Sequence, residues 1–169
     1  SIKAGGEAFD DAIIKYIRRK HNVLIGEATA EELKKSIGCV FPRPETATVD
    51  VKGRCLLTGL PRIVPISTTE ILEAFEEVTE RIMEIIHHTL ENTPPELVAD
   101  ISQNGIVLTG GGSLLWGFDK LIESRTNIPT RIADDAELCV GYGVWKALDM
   151  IGEMHEGTLN LARRKQLRA

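Results

Sequence analysis

The run "NGIVLTGGGSLLWGFDKLIE", residues 104–123, constrains this chain more than any other stretch. Four apolar or β-branched residues lead into three consecutive glycines, and a helical pattern follows. A continuous apolar run of this kind marks a strand buried on both faces, the habit of parallel sheets. A strand–glycine–helix unit also sets backbone N–H groups beside a helix start, where an anion or a flat ligand can come close. The plain structural alternative is a tight turn with the helix packed hard on the strand, and the loop alone does not separate the two. Two phosphate-binding motifs are excluded. No Lys follows the glycines as a P-loop requires. In the G-x-G-x-x-G fingerprint the third glycine would fall on Leu115 counting from Gly110, and the second on Leu114 counting from Gly112.

The rest of the chain alternates helical and strand patterns. "SIKAGG" reads as the end of a strand stopped by two glycines. "EAFDDAIIKYIRRK" is a helix with Phe9, Ala12, Ile13, Tyr16 and Ile17 on one face, acids in its first turn and bases in its last. "TAEELKKSIG" is a shorter helix, with Thr29 as its cap and Gly38 as its stop. "CVFPRPET" is a loop. "ATVDVKGRCLLTGLPRIVPI" is a β-hairpin turning at Gly53 or at Gly59–Pro61. "STTEILEAFEEVTERIMEIIHHTLEN" is the clearest helix. Ser67 and Glu70 fit a capping box, and Ile71, Phe75, Val78, Ile82, Ile85 and Leu90 mark its buried stripe. "TPPELVADISQNG" is a short helix, "SLLWGFDKLIESRTN" a helix weakened at Gly117, "IPTRIA" a strand, and "DAELCVGYGVWKALDMIGEMH" a final helix. The order implies an α/β layer with a small α+β insert at about 20–66. The strands are too few for a doubly wound sheet, so the missing ones are expected before Ser1. A first residue that is Ser rather than Met fits a piece of a longer protein.

Composition narrows the function classes. The chain has 169 residues, 43% apolar and 27% charged, with a net charge of −5. An acidic chain offers no concentrated basic face, and no nucleic-acid partner is expected. The basic tail, with Arg163, Arg164, Lys165 and Arg168, reads as a solvated end; four charges stand at the low end for a lipid contact. Cys39, Cys55 and Cys139 lack metal-ligand or disulfide spacing and read as small buried residues. His87 and His88 are adjacent on a helix and cannot share a metal as an i, i+4 pair could. No catalytic residue and no metal ligand is assigned.

Further features accompany the glycine loop. Gly5 and Gly6 form a second strand-to-helix glycine turn. Glu31, Lys34 and Lys35 share one helical face by their i, i+3, i+4 spacing. Either they are a solvated ion-pair cluster, or long polar side chains beside a glycine platform that read a base edge and ribose hydroxyls.

The blocks "GGEAFDDAIIKYIRRKHNVLIGEATAEELKKSIG", "GRCLLTGLPR", "PPELVADISQNGIVLTGGGSLLWGFDKLI" and "GYGVWKALDMI" resemble the carboxy-terminal half of the MreB/Mbl family of bacterial actin homologues, from Ser1 to about His155. The resemblance implies one α/β lobe of an actin-like ATPase of ribonuclease H-like fold, carrying a small α+β inserted subdomain. Residues 1–5 would end an inner-subdomain strand, 6–69 form the small outer subdomain, and 70–138 form the inner subdomain, incomplete here. Residues 139–155 would be a helix returning toward the first lobe, and 156–169 a basic tail. Gly110, Gly111, Gly112 and Ser113 match the family's adenosine loop. Glu31, Lys34 and Lys35 match its base- and ribose-contacting helix, and Gly5 and Gly6 its turn near the ribose. Leu114, Leu115 and Trp116 stand where members often carry a polar residue.

By the same resemblance the cofactor is ATP, with magnesium in the full-length parent. The phosphate-gripping hairpins, the water-orienting carboxylate and the magnesium groups fall outside this sequence, so the chain alone is expected not to hydrolyse ATP. The implied partners are other protomers in a filament, the first lobe of the parent, and rod-shape and cell-wall synthesis membrane proteins. The implied location is cytoplasmic, at the inner face of the cell membrane. A heat-shock-chaperone or sugar-kinase lobe, or a non-nucleotide interaction module on the same fold, are the alternatives.

Overall fold

The structure is a computed structural model and describes residues 1–150. The basic tail and the last turns expected of the final helix lie outside the described residues. Two layers organise the first half. Helix α1 (Gly6–His21), helix α2 (Glu27–Ile37) and a three-stranded antiparallel sheet share one core. The sheet runs β1 (Val23–Leu24), β2 (Thr48–Cys55), β3 (Pro61–Ser67), with β2 central. Phe9, Ile13 and Ile17 of α1, Leu33 and Ile37 of α2, and Val51, Val64 and Ile66 of the sheet are buried together. Alternation decides the register: Val51 faces Val64 inward, while Asp50 and Lys52 face out.

Helix α3 (Thr68–Glu91) follows β3 without a loop and runs through 24 residues, about 36 Å at 1.5 Å per residue. Its start is the expected capping box. Ser67 Oγ accepts from the Glu70 N–H, and Glu70 accepts in return from the Ser67 N–H at 3.0 Å. Ile71, Phe75 and Val78 are buried as expected, and Phe75 meets Phe9 edge-to-face with centroids 4.7 Å apart. Farther along, Met83 is the buried residue, while Ile82, Ile85 and Leu90 are half-buried. The helix outruns the core it packs on.

Helix α4 (Pro95–Asn104), strand β4 (Ile106–Leu108), helix α5 (Phe118–Thr126) and strand β5 (Thr130–Ile132) follow. Strands β4 and β5 pair in parallel, Ile106 opposite Thr130 and Leu108 opposite Ile132. Parallel pairing matches the sequence pattern, but the expected burial does not hold within this chain: Val107 is exposed, and Ile106 and Leu108 are half-buried. Helix α6 (Cys139–Asp149) likewise has no buried residue, and Val140, Tyr142, Trp145 and Leu148 are exposed. No helix of the described residues is long and apolar enough to cross a membrane.

Several local expectations are corrected. Helix α2 starts at Glu27 with Gly26 as an extended cap, so Thr29 lies inside the first turns and caps nothing. Of the two turns expected for the hairpin, the one with Gly59 forms: the chain turns at Leu56–Leu60 with Gly59 at φ +74°, and Gly53 sits inside β2. A Cβ at Gly53 would stand 2.4 Å from Val23 Cγ1, so glycine there lets β1 dock. Residues 1–5 form no strand in the structure. The helix expected from Ser113 to Asn127 is broken. A 3₁₀ turn spans Gly111–Leu114, and α5 begins only at Phe118, after Gly117 at φ +82°.

Candidate functional site

Helix α2 carries Glu31, Lys34 and Lys35 on the side facing α1 and the glycine loop. Lys34 reaches across to the first turn of α1, where its Nζ donates to Asp10 Oδ2 at 2.7 Å and to the Gly6 carbonyl at 3.2 Å. Both side chains of that pair are largely shielded, with 14% and 16% exposed. Lys35 and Glu31 instead form an exposed i, i+4 pair at 2.8 Å. That hydrogen bond holds the Glu31 carboxyl below its ordinary value and raises the Lys35 ammonium. Lys34 is thus a fixed cation, while Glu31 and Lys35 pair with each other at the surface.

The glycine loop is shaped by its backbone. Gly110, at φ +84°, donates its N–H to the Ala136 carbonyl at 2.7 Å. Its own carbonyl accepts from both the N–H and the hydroxyl of Ser113, the latter at 2.6 Å. Ser113 is buried and closes the 3₁₀ turn from within. Gly111 and Gly112 are exposed, and a Cβ on Gly112 would meet nothing within 4 Å.

The segment after α2 fastens to this loop. The Val40 N–H donates to the Trp116 carbonyl at 3.0 Å, in a short parallel bridge between Cys39 and Trp116. Gly117 allows the approach: a Cβ there would lie 2.5 Å from the Phe41 Cβ. Past the bridge, the Arg43 guanidinium lies 5.2 Å from the Trp116 ring centre, and the Lys120 ammonium 4.5 Å from it.

These three pieces enclose a cavity of about 620 Å³, within the usual size of a small-molecule site. Of the nine residues singled out from sequence, Gly6, Glu31, Lys34, Lys35, Gly111 and Gly112 line it. Gly5, Gly110 and Ser113 do not: Gly5 caps α1, and the other two set the loop's shape. Sequence reasoning missed Phe9, Gly38, Arg43, Leu114, Leu115, Trp116 and Glu137, which complete the lining. Arg43 lies in a proline loop with no periodic signal; the bridge to Trp116 and its own bond to the Gly38 carbonyl bring it here. Glycine edges, an apolar floor and a few cations suit a flat polar ligand with hydroxyl or anionic groups. Among the described residues, no group of three or more His, Cys, Asp or Glu side chains is arranged to hold a metal ion.

The family model of the MreB/Mbl protein matches residues 1–156. The cell shape-determining protein MreB of Escherichia coli (strain K12) is 47% identical over 159 residues, which are 94% of this chain and 46% of that protein. Mbl of Bacillus subtilis (strain 168) is 38% identical over 160 residues, 95% of this chain and 48% of that one. In structure, MreB5 of Spiroplasma citri bound to AMPPNP superposes with a TM-score of 0.87 at 39% identity, covering 90% of this chain and 46% of its own. The MamK double helical filament gives a TM-score of 0.66 at 21% identity, over 80% of this chain and 42% of its own, and shows the shared fold. The chain thus spans a little under half the length of the relatives it matches.

Proposed function

The chain belongs to the MreB/Mbl family, and from that premise we propose that it forms the adenosine-facing wall of a nucleotide cleft in an actin-like, filament-forming ATPase. The observation that carries this reading is one cavity into which Gly6 of α1, Glu31, Lys34 and Lys35 of α2, and Gly111 and Gly112 of the loop all open. The bound AMPPNP of the Spiroplasma citri relative supports a nucleotide as the ligand. In the proposed site the glycine edges take the flat face of the nucleoside. Lys34, steadied by Asp10, stands beside the Gly6 turn and would reach a ribose hydroxyl or the α-phosphate side. Residues 6–69 are then the outer subdomain and 70–138 part of the inner one.

Catalysis in such enzymes is positioning plus charge neutralisation at the γ-phosphate. This chain would contribute the first at the adenosine end. The parent would assemble into ATP-dependent filaments governing cell shape and cell-wall synthesis, in the cytoplasm at the inner membrane face. Its partners would be its own copies and rod-shape membrane proteins. The MamK filament and the cell shape-determining relatives support that wider reading.

The test is a titration of the ¹⁵N-labelled chain with ADP and ATP, following the amides of Gly110–Ser113 and of α2. Shifts at those residues and at the others lining the cavity are expected, with the β2–β3 hairpin unmoved. A silent loop at millimolar nucleotide would favour an interaction module instead. Phosphate release from ATP by the purified chain should stay at background, and turnover that survives purification would refute the division of labour.

A further inference from the structure

Glu137 lies on the turn that leads into α6, and two backbone bonds fix that turn. The Ala136 carbonyl, just before it, accepts from the Gly110 N–H at 2.7 Å, and the Leu138 N–H, just after it, donates to the Asp135 carbonyl at 2.7 Å. The side chain lies against the glycine loop: its Oε1 stands 3.3 Å from where a Cβ on Gly111 would be. Glu137 and Gly111 are both exposed and both line the cavity, so the carboxylate is open to a group bound there. The Lys35 ammonium, another lining group, is raised first by its bond to Glu31, and the charge of Glu137 adds to that through space. Glu31, the other acid of the lining, is engaged by Lys35 at 2.8 Å. Among the described residues the Glu137 carboxylate belongs to no ion pair. A carboxylate only accepts, so what it can take from a ligand is a donor group.

We propose that Glu137 selects the base at this site: its carboxylate accepts from the exocyclic amine of adenine and repels the carbonyl oxygen that hypoxanthine and guanine carry on the same ring carbon. This rests on the nucleotide reading of the cavity and adds a base preference to it. The sugar side of that reading is the Gly6 turn with Lys34, whereas Glu137 belongs to the glycine-loop wall with Gly111. Of the donors an adenine nucleotide offers, the ribose hydroxyls go with the first wall, and the ring amine is left for the second. The cations of the lining are already engaged: Lys34 with Asp10, Lys35 with Glu31, and Arg43 with the Gly38 carbonyl. A group that only accepts favours an amine over a carbonyl, because the carbonyl sets lone pairs against lone pairs.

The test titrates ADP and IDP, which carry an amine and a carbonyl on that ring carbon, into the ¹⁵N-labelled chain and follows the Gly111 and Gly112 amides. ADP should bind more tightly by about threefold to tenfold, the range of one hydrogen bond. Glu137→Ala should weaken ADP, relieve IDP and so bring the two affinities together. Glu137→Gln, whose amide both accepts and donates, should narrow the gap in the same direction. Both variants alter an exposed side chain and should keep the urea midpoint of the unaltered chain. IDP binding as tightly as ADP, an ADP preference that survives in both variants, or a parallel loss of both nucleotides, as a ribose contact would give, overturns the inference while leaving the cavity a nucleotide site. No response of the unaltered chain to either nucleotide overturns both.

Discussion

Gly112 and Gly117 lie five residues apart in one loop, and the structure gives them opposite duties. Gly117 adopts φ +82°, and a methyl there would stand 2.5 Å from the Phe41 Cβ. A left-handed backbone costs an L-residue about 1–2 kcal/mol, and forcing a methyl into a packed contact costs about 1–3 kcal/mol more. Gly117→Ala should therefore destabilise the fold by roughly 2–5 kcal/mol. With a urea m-value of about 1–3 kcal/mol/M, the unfolding midpoint should fall by on the order of 1–2 M. Gly112 has neither constraint: its φ is not positive and its Cβ position is open. Gly112→Ala should leave the midpoint nearly unchanged, within about 0.5 kcal/mol. Its methyl would stand on the cavity wall, so it should weaken ADP binding without touching stability. Urea unfolding of both variants, paired with an ADP titration of Gly112→Ala, checks the reasoning. Equal midpoints for the two, or full ADP affinity in Gly112→Ala, would refute the assignment of one glycine to the fold and the other to the site.

Other consequences follow from the polar contacts. Lys34→Met strands a largely shielded Asp10 carboxylate, whose second oxygen already lacks a partner. It should cost about 1–3 kcal/mol in urea unfolding, whereas Lys35→Met, at an exposed pair, should not register; equal effects would contradict the distinction. Burial alone would raise the Glu70 carboxyl, but the Ser67 N–H, His21 and the Ser67 hydroxyl outweigh it and hold it below 4.5. A depressed folded value adds stability above the unfolded value, which is lost as pH falls through the folded one. Glu70→Gln should thus flatten the acid limb of stability below about pH 5, and an unchanged limb would remove Glu70 from that role. In the hairpin turn, the Thr58 hydroxyl and the Thr58 and Leu57 N–H groups lower the Cys55 thiol to about 7, while burial raises Cys39. Iodoacetamide at neutral pH, read by peptide mass, should label Cys55 before Cys39; equal rates would count against the turn's effect.

What was legible in the sequence depended on the range of the interaction. The capping box at Ser67 and Glu70, the inward alternation of Val51, and the parallel habit of residues 106–108 are local or periodic, and the structure reproduces each. The misreadings share one cause. Gly53 as one of two possible hairpin turns, and a helix carried from Ser113 through its weak point at Gly117, were read from neighbours in sequence, and each is overridden by a contact far along the chain. Val23 presses on Gly53, and Phe41 presses on Gly117. The site obeys the same rule. Glycines and the i, i+3, i+4 polar face could be picked out one element at a time. Arg43 could not, because what makes it a wall of the cavity is the backbone bond from Val40 to Trp116, between residues 76 positions apart. That bond explains why a loop containing two prolines is held against the glycine turn.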